Sequence, residues 1–197
     1  MIAKRIFDII FSLLGLVVLL PLFLVIAFLI VLDSKGGVFF LQERVGRYGR
    51  PFKIFKFRTM YKDAEKKGQL TVGSRDPRIT KVGYWLRKTK MDELPQLINV
   101  LKGDMSFVGP RPEVKKYVDL YNEEQKQVLN VRPGITDFAS IVFRNENDLL
   151  ADSNDPEKLY VEKIMPAKLK LNMKYIKERS LLLDVKIIIK TVFNIFF

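Results

Sequence analysis

The feature that most constrains this chain lies near its start. Ile9 to Leu32 reads IIFSLLGLVVLLPLFLVIAFLIVL and carries no charged side chain. At roughly 24 residues it is long enough for a helix across bilayer hydrocarbon. It is too long for the apolar core of a secretory signal, and Leu32-Asp33 offers no small-residue cleavage site, so the segment is expected to remain in the mature protein. Pro21 sits at its centre. Proline removes one backbone hydrogen bond and bends a helix. Each half, about a dozen residues and roughly 17 Å long, covers about half the hydrocarbon thickness. Lys4 and Arg5 precede the run; Lys35, Arg44, Arg47 and Arg50 follow it. Basic flanks at both ends pull both toward the cytoplasm. A kinked spanning helix and a bent helix that returns to the face it entered both remain open. In lipid the carbonyl freed by Pro21 needs a donor, and Ser12 or a neighbouring helix could supply it.

The far end is also apolar. DVKIIIKTVFNIFF, from Asp184 to Phe197, places Lys186 and Lys190 one turn apart, with Asp184 as the expected N-cap. It reads as an interfacial helix with its lysines toward headgroups. The preceding MPAKLKLNMKYIKERS is basic and amphipathic. A helix packed in the core is the competing reading of either segment.

Composition narrows the chemistry. The 197 residues carry a net charge of +12, with no cysteine and no histidine. Such a surplus implies an anionic partner: nucleic acid, an anionic membrane or phosphorylated substrates. Disulfides, thiolate catalysis and thiolate zinc sites are excluded, as is the usual imidazole base. Carboxylate, Lys, Tyr, Ser and Thr remain, together with a hard metal held by oxygen, such as Mg²⁺.

Between the apolar ends the pattern is α+β and mainly helical. Val38–Gln42 and Phe52–Phe57 read as a hairpin turning over Gly46–Gly49. Residues 63–81 read as a polar loop with a turn at Asp76-Pro77. ITKVGYWLRKTKMDELPQLINVLKG reads as two helices, the second beginning near Asp92, with Pro95 in its first turn and Gly103 as its C-cap. Tyr117 to Val131 reads as a further helix, and ITDFASIVFRNEN as a strand with a loop.

Asp92 and Glu93 therefore fall at an expected helix start, where free N–H groups and the helix dipole favour anions. Arg87, Lys88 and Lys90 lie close in sequence, and Arg111 stands stiffly between two prolines. An ionised carboxylate among cations suits a nucleophile acting on a phosphoryl group. A simple capping pair and a rigid turn with an exposed arginine are the plainer readings. Arg132, Arg144, Lys56 and Arg58 raise the same choice between a phosphate site and a solvated surface. No P-loop or dinucleotide fingerprint is present.

The motifs KRIFDIIFSLLGLVVLLPLFLVIAFLI, FLQERVGRYGRPFKIFKFRTM, DELPQLINVLKGDMSFVGPRP, VRPGIT and SLLLDVKIIIKT occur in this order over nearly the whole chain. In them the chain resembles the small monotopic phosphoglycosyl transferases, the bacterial sugar transferase family. The resemblance implies a re-entrant membrane helix over 1–35, broken near Pro21, and a cytosolic catalytic domain over 36–197 with interfacial helices. It implies transfer of a phospho-sugar from a UDP-sugar to undecaprenyl phosphate with release of UMP, initiating surface glycan assembly at the cytosolic face of the bacterial cytoplasmic membrane. Asp92 would be the nucleophile of a covalent intermediate. Glu93 would help hold Mg²⁺ or deprotonate the acceptor, so both carboxylates stand as metal ligands. Arg111 and Arg144 would bind phosphate, with Lys56, Arg58, Arg87 and Arg132 as further basic positions. A homodimer is compatible with this reading and a nucleic-acid partner is not expected.

One region departs from the family pattern. Many members read TGWAQVNGRN where this chain has TDFASIVFRNEN, so Asp137 replaces a glycine, Phe138 a tryptophan and Phe143 the glycine of GRN. The sugar is therefore left open. Competing classes are a membrane-tethered nucleic-acid binder, an ordinary glycosyltransferase releasing UDP, and an inactive membrane anchor for a glycan-assembly complex. Salt-dependent DNA retention would mark the first, released UDP the second, and the intact Asp92-Glu93 pair speaks against the third.

Overall fold

The computed structural model describes residues 2–62, 64 and 76–196. Most of the polar loop expected over 63–81 lies outside them. Helices α1 (Ile2–Val18) and α2 (Leu20–Asp33) meet at 60°. Pro21 sits in the first turn of α2, where its missing N–H is least costly. Leu19 keeps helical dihedrals; its N–H donates to Gly15 O at 2.9 Å and its carbonyl accepts from Phe23 N at 2.9 Å. The chain thus bends sharply without dissolving into a loop. Ser12 donates to Ile9 O within its own helix at 3.2 Å, so it does not serve the carbonyls beside Pro21. Among the described residues no single helix is long and apolar enough to cross a membrane, whereas the bent pair together is. Ile10, Leu14, Val18, Leu24, Phe28 and Leu32 are exposed on it.

The base of α1 is polar and bolted down. Lys4 pairs with Asp184 and donates to Val108 O at 3.0 Å. Arg5 donates to Val100 O at 2.6 Å and Leu101 O at 2.9 Å. Asp8 is buried and accepts from Ser106 Oγ at 3.1 Å and Phe107 N at 3.2 Å.

Strands β1 (Phe39–Val45) and β2 (Pro51–Phe57) form the expected hairpin, with β1 reaching three residues further than its apolar pattern indicates. Helix α3 (Lys81–Lys88) is capped by Thr80, whose Oγ1 accepts from Gly83 N at 3.0 Å. A 3₁₀ turn over Met91–Glu93 leads through Pro95 into α4 (Gln96–Lys102). The helix expected from Asp92 therefore begins at Gln96. Gly103, at φ 94°, ends it in the left-handed region, as expected of a glycine C-cap. Asn99 fastens α4 to the open edge of β2: its Oδ1 accepts from Phe55 N at 2.9 Å and its Nδ2 donates to Lys53 O at 2.8 Å.

Strand β3 (Ser106–Val108) follows, then α5 (Lys115–Val118) and β4 (Gly134–Thr136), which pairs parallel with β3. The helix expected over Tyr117–Val131 is not continuous. Asn122 and Gln125 exchange backbone-to-side-chain bonds at 2.9 and 3.0 Å, a capping box that stops one turn and starts a 3₁₀ segment over Gln125–Asn130. Of the strand expected from Ile135 onward, only Ile135 and Thr136 form one, within β4. Asp137 caps α6 (Phe138–Val142), and α7 (Glu146–Ala151) and α8 (Pro156–Leu159) follow. A π-type turn over Tyr160–Ile164 leads into α9 (Met165–Glu178) and then α10 (Leu181–Phe196). Ser180, whose Oγ accepts from Leu183 N at 3.2 Å, takes the capping place expected of Asp184. Asp184 is instead buried against Lys4 and Tyr175. Lys186 and Lys190 remain exposed. The architecture is α+β and mainly helical, with two small sheets.

Candidate active site

Three segments converge on the Asp92-Glu93 turn. Beta strand β2 supplies Lys56, the end of α3 supplies Arg87, and the Pro110–Pro112 turn supplies Arg111. The turn carrying the carboxylates is set by Lys90, a non-glycine residue at φ 58°. Glu93 N then bonds Lys90 O at 3.2 Å and Leu94 N bonds Met91 O at 3.2 Å.

The two adjacent carboxylates have different surroundings. Glu93 is gripped from both sides. Lys56 Nζ donates to its Oε1 at 2.9 Å, Arg111 Nη1 donates to its Oε2 at 3.1 Å, and Arg111 Nη2 bonds Oε1. Burial alone would raise its pKa; the charges and hydrogen bonds of Arg111 and Lys56 outweigh burial and hold Glu93 well below the usual carboxylate range. Asp92 is also buried, yet among the described residues no hydrogen bond or salt bridge holds its carboxylate. Burial and the charge of Glu93 push its pKa up against the field of Lys56, Arg87 and Lys90. One carboxylate is thus spent on structure, and its neighbour is desolvated without a partner.

Arg111 owes its raised pKa chiefly to Glu93, and Asp137 and Glu146 add to the effect. Burial lowers the pKa of Lys56, and of Arg87, whose Nε donates to Thr59 Oγ1 at 2.8 Å. The other cations proposed from sequence stand elsewhere. Arg58 donates to Lys35 O at 2.9 Å and Ser34 O at 2.7 Å, closing the C-terminus of α2. Arg132 Nε donates to Gly103 O at 2.9 Å, at the end of α4. Both guanidiniums bind carbonyls at or just past a helix C-terminus, and neither bonds Asp92 or Glu93 among the described residues. Arg144 is exposed between α6 and α7 and makes no hydrogen bond among the described residues.

Sequence reasoning missed the supports of the Pro110–Pro112 turn. Glu113 Oε1 accepts from Arg44 Nη1 at 3.0 Å and from Val114 N at 2.8 Å, while Tyr160 OH bonds its Oε2. Asp137 Oδ2 accepts from Arg111 N at 3.1 Å. Gly109 and Gly134 lie backbone to backbone: a Cβ on Gly134 would come within 2.1 Å of Gly109 N. Only the capping pattern of Asp137 ahead of an apolar run was readable locally.

Mg²⁺ usually takes one or two carboxylates together with substrate phosphates. Among the described residues no group of three or more acidic side chains could cage a metal. The unengaged Asp92 carboxylate fits a site shared with substrate oxygens, whereas both oxygens of Glu93 already bind cations.

The fold thus assembles a buried carboxylate pair with cations on both sides, in a chain without histidine or cysteine. The chain belongs to the bacterial sugar transferase family, whose model matches residues 1–197. It is 49% identical over 121 residues to a Bacillus subtilis protein named putative undecaprenyl-phosphate N-acetylgalactosaminyl 1-phosphate transferase, covering 61% of this chain and 68% of that one. It is 41% identical to the Aeromonas hydrophila UDP-N-acetylgalactosamine-undecaprenyl-phosphate N-acetylgalactosaminephosphotransferase, over 96% of this chain and 42% of that protein. With the Escherichia coli UDP-glucose:undecaprenyl-phosphate glucose-1-phosphate transferase it shares 40% identity, over 97% of this chain and 39% of that protein. The chain spans about two fifths of the length of these last two relatives.

Proposed function

We propose that the protein is a phosphoglycosyl transferase that moves a phospho-sugar from a UDP-sugar to undecaprenyl phosphate, in the initiation of bacterial surface glycan assembly. The observation that carries this reading is the contrast between Asp92, buried and unpartnered, and Glu93, fixed by Lys56 and Arg111. Adjacent carboxylates driven apart in this way take different roles.

In the first step an Asp92 oxygen attacks the β-phosphorus of the UDP-sugar. The bond from that phosphorus to the bridging oxygen breaks, and UMP leaves. The product is an acyl phosphate joining Asp92 to the phospho-sugar. In the second step a phosphate oxygen of undecaprenyl phosphate attacks the same phosphorus. The bond to Asp92 breaks, which restores the carboxylate and yields the diphosphate-linked sugar. Two steps let one site take two anionic substrates in turn. Arg111, Lys56 and Arg87 offset the phosphate charge, and Arg144 is the remaining cation on the α6 side. Glu93 orients Arg111 and Lys56. Mg²⁺, held by Asp92 and substrate oxygens, would supply further neutralisation of the transferring phosphoryl group.

The bent α1–α2 pair enters the cytoplasmic leaflet and returns to the same face, with α10 lying along the interface. Two features support this: the 60° bend, and the anchoring of the base of α1 to β3, α4 and α10. The lipid acceptor then reaches the site from the membrane.

The test is the identity of the released nucleotide. Full-length protein in nanodiscs, given a UDP-sugar panel, Mg²⁺ and undecaprenyl phosphate, is expected to release UMP and to stop on chelation. Release of UDP would instead mark ordinary glycosyl transfer.

A further inference from the structure

We infer that Asp137 is a positioning residue of this site: it fixes the backbone from which Arg111 reaches the phosphates, and it ties that backbone to α6. The inference rests on the transferase reading for its catalytic consequence, though not for the tether itself.

Asp137 is fully buried, at 0% exposure, and no salt bridge pairs it with a cation among the described residues. A buried carboxylate is costly unless hydrogen bonds satisfy it. Its two oxygens are divided between two segments. Oδ1 accepts from Ser140 N at 2.5 Å, in the first turn of α6. Oδ2 accepts from Arg111 N at 3.1 Å. Capping accounts for the first bond, and a serine, threonine or asparagine would serve as well there. It does not account for the second. Pro110 and Pro112 have no N–H, so the N–H of Arg111 is the single backbone donor of that tripeptide, and Asp137 takes it. The carbonyls on either side are held as well: Pro110 O accepts from Gly134 N at 3.0 Å and Pro112 O from Arg44 Nη1 at 3.3 Å. Asp137 therefore completes the fixing of the turn. The same side chain sets the start of α6, which leads to Arg144. A tilt of the donor-site arginine and a shift of α6 are thus coupled through one carboxylate.

The experiment compares wild type, Asp137→Ser and Asp137→Asn as full-length proteins in nanodiscs. Serine keeps the α6 cap but is too short to bond Arg111; asparagine keeps the length with one side-chain oxygen. Two readouts are taken: amide hydrogen exchange, and UMP release against UDP-sugar concentration. In Asp137→Ser, exchange over residues 109–114 is expected to quicken while that of α6 stays near wild type. Its kcat/KM is expected to fall about 100-fold, as misplacement of a catalytic contact does. The melting temperature is expected to drop by no more than about 4 °C. Asp137→Asn is expected to fall between the two. Unchanged exchange over 109–114 together with wild-type kinetics in Asp137→Ser would reduce Asp137 to a helix cap and overturn the inference. If wild type itself releases no UMP with any donor, the transferase reading fails. The exchange comparison then still decides the tether: quickening upholds it and no change overturns it.

Discussion

On the proposed mechanism, Asp92 is where stability and chemistry pull in opposite directions. Its pKa is raised in the fold by burial and by Glu93. Between the unfolded value, about 3.9, and the higher folded one, the native state binds more protons than the unfolded state. Stability contributed by this group therefore falls as pH rises through that window, and at neutral pH the ionised side chain is a cost. Asp92→Asn removes the charge at nearly constant shape. It is expected to raise stability by about 0.5–2 kcal/mol, as relief of strained active sites does, while abolishing turnover by at least about 10³-fold. Thermal melts beside UMP release check both halves; an Asn variant that is active, or clearly less stable, contradicts the assignment. Glu93 behaves oppositely: its depressed pKa gives stability that persists down to about pH 4.3 and is lost as pH falls through its folded value. In the pH–rate profile of UMP release the acid limb is accordingly assigned to Asp92. Glu93→Gln removes one charge that raises Asp92 and frees Lys56 and Arg111 to act on it. The acid limb of the pH–rate profile is expected to move to lower pH, and a move to higher pH contradicts the electrostatic assignment. The Asp-Glu pair was visible in sequence. Its division of labour was not, because it depends on Lys56 and Arg111, which lie 37 and 18 positions from Glu93.

Elements fix where these side chains stand, and two of their joints carry predictions. Arg58 looked like a phosphate ligand in the linear order, beside Lys56. Alternation along β2 would put it on the face of Lys56; the chain instead leaves the strand after Phe57, and Arg58 reaches the carbonyls of Ser34 and Lys35, just past the end of α2. Arg58→Gln is expected to destabilise the fold by about 1–3 kcal/mol by orphaning those carbonyls, with the KM for the UDP-sugar changed less than threefold, about what a residue outside the site gives. A large rise in KM with unchanged melting would restore the phosphate role. The second joint is the β3–β4 pairing, where Gly109 and Gly134 meet. A Cβ on Gly134 would lie 2.5 Å from Gly109 O. Gly134→Ala is expected to cost at least about 1–3 kcal/mol by overpacking and to displace the Arg111 turn, so that stability and kcat/KM fall together. Helix α3 and the Gly103 stop were legible from their periodicity and terminal glycine. The interruption at Asn122 also had a local signature, since Asn and Gln three apart form a capping box. The sequence reading took 117–131 as one helix, and the structure interrupts it at that cap.

For the whole molecule, the decisive contacts join distant parts of the chain. Lys4 meets Asp184, and Asp8 meets Ser106 and Phe107. The sequence exposed the apolar segment and its proline, because both are local. Anchoring of the segment's base rests on partners up to 180 positions away, which no periodicity reports. The chain contains no cysteine, so single cysteines report topology without background. Cysteines placed at Ala3 and Lys35 are both expected to react with a membrane-impermeant thiol reagent from the cytosolic side. Reaction of the two from opposite sides would mean a spanning helix. The central claim is the covalent route through Asp92, and intact-protein mass spectrometry tests it most directly. Wild type and Asp92→Asn, held in nanodiscs with Mg²⁺, are each given a panel of UDP-sugars without undecaprenyl phosphate. A mass gain of one phospho-sugar on wild type with one donor, UMP released alongside, and no gain on Asp92→Asn is the predicted result. An unmodified wild-type protein that still releases UMP once the acceptor is added would contradict it.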